Sequence, residues 1–349
     1  SEESTQTWDR EGPWEAAIKR EVEAVCDGVG VLDLPGFSRF NLLGDGAAEY
    51  LRGKITGGLP KIGRMNLAYF ADSRGRILTE MSGMRHGEDF FALITAASAQ
   101  WHDFEVLNND LPDGLSLSDH TTEYSTLIVT GPKARDLFEA MGTEADFSAT
   151  WLSIQAAKVA GTDCALARVS FAGELGWEIH GANADMLALY DAVLAAGAVP
   201  FGMYALNSMR IEKGYRAWKG DLSTDYSLIE GGLSRFIKFD KPQDFPGKAA
   251  LLAEQQQGRK KGFVTMTMEA GERDAPYMAP VWHGDEIVGE VTSCAIGYRT
   301  EKCIALGMIR ADLLDAGTEL EVDVYGTRHK AVVQADEPLW DPKNARIRA

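Results

Sequence analysis

Several things are scarce in this 349-residue chain, and each scarcity removes a class of function. There are four cysteines (Cys26, Cys164, Cys294, Cys303), none in a CxxC pair, which speaks against a structural zinc knuckle and against a disulfide framework. Six histidines show no HxxxH or HExxH spacing, so no metal site is suggested. Basic residues are outnumbered 35 to 52 by acidic ones, for a net charge of −17, and a phosphate backbone or anionic membrane demands the opposite balance. Apolar runs such as MLALYDAVLAAGAVPFGM are cut by charge, Gly and Pro before reaching the length of a membrane span. The first residues, SEESTQTWDREGPWE, are polar and acidic with no apolar core, unlike a leader peptide, so a cytoplasmic location is expected. Gly-rich phosphate loops are missing too. GVGVLDLPG has Asp33 where GxGxxG needs its third glycine, and it follows a helix, so no dinucleotide or flavin site is visible. A P-loop and a GxSxG elbow are also absent.

What is present is a long, soluble-looking chain, 45% hydrophobic and 25% charged, large enough for two or three domains. WEAAIKREVEAVCDGVG predicts a helix with Ile18, Val22 and Val25 on one face. DGAAEYLRGKI predicts another, capped by Asp45. NLAYFADSRGRILTEMSGMR predicts a hairpin around Asp72–Gly75. Further strands and helices alternate through YSTLIVTGPKARDLFEAMG, ALARVSFAGELGWEIH, NADMLALYDAVLAAGA and GMYALNSMRIEKGYRAW. The mixture of antiparallel hairpins and helices predicts an α+β fold. A segment rich in Pro, Gly, Gln and Lys (239–262) marks a boundary, and the short strands beyond it, joined by HGD and YGT turns, predict a small β-barrel or sandwich.

Carboxylates in aromatic surroundings are the remaining chemical signal. Glu80 lies on the second strand of the DSRG hairpin, Asp103 follows Trp101 and His102, and Glu174 and Glu178 flank Gly176-Trp177. Taken singly, each acid reads as a solvated surface group, with Glu174 at a turn tip, and His102 and His180 as surface or core residues.

Four blocks in order carry more. GELGWEIH, FGMYALNSMRIEKGYRAWKGDL, GGLSRFIKFDKPQDFPGKAAL and GEVTSCAIGYRTEKCIALGMI resemble the glycine-cleavage T-protein (aminomethyltransferase) family, and within it the tetrahydrofolate-binding half of dimethylglycine and sarcosine dehydrogenases. The resemblance runs nearly the whole chain. It implies a three-lobed fold around a central folate channel, with residues 1–245 as a core of two interleaved lobes and 246–349 as a C-terminal barrel or jelly-roll domain. It also implies Glu178 as the acid that anchors the pterin, with Phe171, Tyr204, Thr95 and Arg273 as further folate-contacting positions. The family's catalytic acid, usually Asp, falls on Glu80, whose extra methylene moves the carboxylate by roughly 1.5 Å.

The family's Arg-Asp pair is replaced by Leu206-Asn207, which argues against the lipoyl-protein reaction of glycine cleavage itself. The implied activity is therefore folate-dependent capture of a one-carbon unit from a methylated amine, with dimethylglycine or sarcosine as model substrates and 5,10-methylene-tetrahydrofolate as product. An oxidoreductase or formaldehyde-releasing partner chain or domain would perform the oxidation. Two alternatives stay open at this point. One is a self-sufficient demethylase passing an intact methyl group to tetrahydrofolate. The other is a non-catalytic folate-binding factor, although such relatives carry a cysteine in a KGCxxGQE-like segment where this chain has Tyr215.

Overall fold

The computed structural model describes Gly12 and residues 14–271 and 273–349; residues 1–11 and 13 of the stretch read for a leader lie outside them. Two antiparallel-rich sheets and a closed barrel make up the molecule. The chain interleaves the sheets. It lays Gly30–Asp33 into the six-stranded sheet and leaves to build all five strands of the other (Phe37–Leu43, Arg64–Ala71, Ile77–Arg85, Phe90–Ala96, Ser116–Asp119). It then returns with Tyr124–Thr130, Ile154–Val159, Thr162–Ala167, Gly176–Ala182 and the short Val199–Pro200. Six strands between Lys261 and Val333 close the barrel, so the α+β class and the C-terminal barrel are both present.

Strand alternation decides which side chains meet between the sheets. In the five-stranded sheet, Phe40, Phe70, Met81, Phe91 and Leu93 form a core beneath the helices Ala47–Lys54 and Gln100–Asn108. The residues one step out of phase turn the other way: Met65, Met84 and Ile94 pack against Ile154 and Ala167 of the six-stranded sheet. In that second sheet, Trp177 and Ile179 join Phe138, Leu189 and Val193 beneath the helices Ala134–Ala140 and Met186–Ala195. Trp177 meets Phe138 and Phe147 edge-on, with ring centroids 5.7 and 5.5 Å away. Glu178 follows Trp177 in sequence and therefore faces the opposite side. An acid sits next to a tryptophan here because the strand has two faces, one for the core and one for the interlayer.

Two local expectations needed revision. Asp45 does not cap the helix Ala47–Lys54; the cap position is Gly46 at φ 92°, a left-handed conformation that a side chain would resist. Glu174 is not at an exposed turn tip but is fully buried. Its loop is tight: Gly173 adopts φ +79°, and a Cβ at Gly176 would lie 2.8 Å from the Thr130 hydroxyl. The helix Lys248–Gln257 packs through Leu251 into a cluster with Ile77, Leu222 and Phe245. No helix among the described residues is long and apolar enough to cross a membrane.

Candidate active site between the two sheets

Glu80 stands opposite Tyr69 in the hairpin Arg64–Ala71/Ile77–Arg85, on the interlayer face. Register carries that face across the sheet: Ser82, in phase with Glu80, is opposite Ile94, and Ile94 is opposite Arg39. Glu80 and Arg39 thus share one surface, separated by about 10 Å of sheet at the usual strand spacing. Burial pushes the Glu80 carboxyl up to about 7, opposed by the Tyr69 hydroxyl that donates to it and by the Arg216 guanidinium nearby. The Tyr69 hydroxyl is itself driven upward, first by burial and then by Glu80. Arg216 lies over the Phe263 ring at 4.0 Å and donates to the Gly231 carbonyl at 3.0 Å, so it is fixed in place.

Across the interlayer, Glu178 and His180 project from one face of Gly176–Ala182. His180 Nε2 lies 3.0 Å from Glu178 Oε2. The contact is bent, and the ring nitrogen has no well-directed hydrogen-bond partner. On the other edge of the ring, an Arg39 Nη approaches Nδ1 at 2.8 Å and also donates to the Thr126 hydroxyl. Because Arg39 can only donate, Nδ1 must accept, which leaves the proton on Nε2, the nitrogen nearer Glu178. Burial lowers the His180 pKa, in keeping with this neutral tautomer. Arg39 is buried as well, its pKa pulled down to about 10 by desolvation and raised in part by Glu178; its Nε has no partner. An unpaired donor on Arg39 beside a carboxylate with spare acceptor capacity is an arrangement suited to a polar ligand edge.

The other candidate residues divide. Phe171 is half-buried and stacks on Tyr215 with centroids 5.9 Å apart and planes 17° from parallel, forming an aromatic wall. Thr95 is out of phase with Ile94 and turns to the helix side. Its hydroxyl bonds the buried carboxylate of Asp103 and lies 3.3 Å from the Glu80 carbonyl. Tyr204, at the start of the helix Met203–Glu212, is 72% exposed. Arg273 lies on the exposed segment before the barrel strand Pro280–His283. Leu206 is buried, and the Asn207 side-chain oxygen accepts two hydrogen bonds from Arg210, at 2.9 and 2.7 Å. Tyr69, Arg39 and His180 were not singled out as site residues from sequence. The hairpin turn alone could have paired Tyr69 with Glu80; nothing local marks Arg39, which reaches His180 from 141 residues away.

Comparison with known proteins places this architecture. Residues 3–241 match the GCVT N-terminal domain and residues 261–341 the glycine cleavage T-protein C-terminal barrel domain. The chain belongs to the glycine-cleavage T-protein family. It is similar to the aminomethyltransferase of Listeria monocytogenes, at 28% identity over 91% of this chain and 88% of the relative. Human mitochondrial dimethylglycine dehydrogenase is 31% identical over 93% of this chain but only 39% of its own length, and mouse mitochondrial sarcosine dehydrogenase is 32% identical over 75% and 30%. The chain thus spans about two-fifths of the dimethylglycine dehydrogenases it matches. The solved aminomethyltransferase T of the glycine cleavage system from Bartonella henselae superposes with a TM-score of 0.85 over 95% of this chain and 91% of that one, at 21% identity. That likeness is one of fold.

Proposed function

We propose that the interlayer binds tetrahydrofolate and captures the one-carbon unit released when a methylated amine of the dimethylglycine or sarcosine type is oxidised. The observation that carries this reading is the pairing of two unlike carboxylates on facing sheets: Glu178, held by a neutral histidine, and Glu80, poised near neutrality. The His180 contact with Glu178 is bent, so the carboxylate keeps room for the parallel N–H pair on a pterin edge. Phe171 and Tyr215 would flank the ring, and Arg273 would meet the anionic tail. Thr95 supports the strand behind Glu80 through Asp103 rather than lining the pocket, and the exposed Tyr204 would close its rim.

When bound, tetrahydrofolate supplies the amine nitrogens that take up formaldehyde or an iminium as the 5,10-methylene form. The chain's own work is to orient and to move a proton. Glu80, half-protonated near pH 7, can accept a proton as the attacking amine loses it and return it to the departing water or amine. Tyr69 and Arg216 hold the carboxylate in position while it does so. Oxidation of the amine falls to an oxidoreductase domain or partner, in keeping with the dehydrogenases among the relatives.

Titration of the wild type and Glu178→Ala with tetrahydrofolate, followed by formaldehyde, tests the proposal. Micromolar binding is expected in the wild type and at least a tenfold loss in the variant, since two buried donors left unpaired cost about 1–3 kcal/mol each. Formation of methylene-tetrahydrofolate faster than in buffer supports the capture role. Binding without acceleration points instead to transfer of an intact methyl group, and absence of binding overturns the reading.

A further inference from the structure

Away from the interlayer, the barrel brings together the two cysteines whose spacing looked uninformative. Cys294 lies on Glu286–Gly297 and Cys303 on Lys302–Arg310; Cys303 is opposite Ile296 and Cys294 opposite Ala305. The cysteines are therefore a diagonal cross-strand pair on one face of the sheet, their sulfurs 3.9 Å apart. A third ligating group arrives from the segment before Pro280: Asp274 Oδ1 lies 4.0 Å from Cys294 Sγ, and the Arg273 carbonyl lies 3.5 Å from Cys303 Sγ. The two sulfurs and the carboxylate oxygen all fall within 4.8 Å of one another. We propose that Cys294, Cys303 and Asp274 form a binding site for a soft divalent cation of the zinc type.

The distances are those of a site already folded. Tetrahedral zinc with Zn–S bonds of about 2.3 Å sets its sulfurs about 3.8 Å apart, and a Zn–O bond of about 2.1 Å needs only a small inward shift of the carboxylate. Geometry of this kind does not follow from apolar packing alone, which would account for two small buried thiols but not for a carboxylate aimed at them. Loading the site breaks two S–H bonds, forms two S–metal bonds and releases two protons to solvent, while the carboxylate binds through one oxygen and water completes the tetrahedron. No change in oxidation state is involved. A bound ion would tether the segment carrying Arg273 to the barrel wall, so it would steady one rim of the proposed pocket without entering it. The site stands whether or not the folate reading does.

Cobalt titration of the reduced 349-residue chain tests the site directly. One equivalent of Co²⁺ is expected to give a thiolate-to-metal charge-transfer band that Zn²⁺ abolishes, and Zn²⁺ is expected to raise the melting temperature. Cys294→Ala should remove the band. Asp274→Asn, a change that keeps the side chain's shape, should weaken Co²⁺ binding by at least tenfold; far-UV circular dichroism confirms that both variants fold. A wild type with free thiols and no band overturns the proposal, as does a band that Cys294→Ala leaves intact. Equal affinity in Asp274→Asn removes the carboxylate from the site and overturns the three-ligand assignment. Rapid closure to a Cys294–Cys303 disulfide with oxidised glutathione, without any metal band, would make the pair a redox couple instead.

Discussion

Glu80→Gln is expected to lower the rate of methylene-tetrahydrofolate formation by about 10²–10⁴-fold while making the protein more stable at alkaline pH. The two effects have one cause. Burial moves the Glu80 carboxyl from 4.5 to about 7, so between those values the folded chain holds a proton that the unfolded chain has released. Stability from this group is then fully present below about pH 4.5 and is lost as pH rises through about 7. The full gap corresponds to at most about 3 kcal/mol, and less where residual contact with water screens the charge. A neutral Gln of the same shape never ionises, and it can still accept from Tyr69. The variant should therefore melt above the wild type at pH 8 and level with it at pH 4. In the wild type, a carboxylate acting as base gives a rate that rises through about pH 7, and that rise should vanish in Glu80→Gln. Glu80→Asp separates reach from charge: it keeps the proton chemistry but withdraws the carboxylate by one methylene. Undiminished rate in Glu80→Gln would reduce Glu80 to a positioned but unreactive group.

How far the sequence could be read depended on the range of the interaction. Hairpins and helices followed from local pattern, and the strand at 176–182 was recognisable from its alternation. The same alternation, taken literally, puts Trp177 and Glu178 on opposite faces. A run of short strands joined by tight turns allowed a barrel or a sandwich, because closure depends on the pairing of strands distant in sequence. Single acids were misjudged because an isolated carboxylate is normally solvated, whereas Glu174 and Asp103 are completely buried. Their partners lie far away or out of pattern: Arg299 and Arg346 for Glu174, and the strand residue Thr95 for Asp103. The same holds for Arg39, for the cysteine pair across the barrel strands, and for Asp274, which only the barrel's closure brings to them. Buried charge is satisfied by tertiary contacts, and the two halves of such a contact share no recognisable local pattern even when they are close in sequence.

Arg299→Met is expected to destabilise the protein by about 3–5 kcal/mol, the largest loss among the single substitutions considered. Arg299 sits in the turn after Glu286–Gly297 and ties the barrel to the loop before Gly176–Ala182 and to the helix Met203–Glu212. Its Nη1 donates to Glu174 at 2.8 Å and to the Ala172 carbonyl at 3.0 Å, its Nη2 to the Met209 carbonyl at 2.6 Å, and its Nε to Glu212. The side chains of Arg299, Glu174 and Glu212 are at most 2% exposed. Removing the cation leaves Glu212 without a charged partner and Glu174 with the half-solvated Arg346 and the Trp340 N–H. Such a pair gains little over an apolar core when intact but is costly to break, because the remaining charges cannot reach water. The barrel should then melt separately from the two-sheet body, giving two transitions where the wild type gives one. Arg299→Lys keeps the charge without the planar fork and should fall between the two. Adding Glu174→Gln and Glu212→Gln to Arg299→Met should recover at least half of the loss, since the stranded charges go with their partner. If Arg299→Met melts within about 1 kcal/mol of the wild type, the cluster does not join barrel to body. If it melts early, tetrahydrofolate affinity should fall with it, because Glu174 begins the tight loop that sets Glu178, four residues on, into the interlayer.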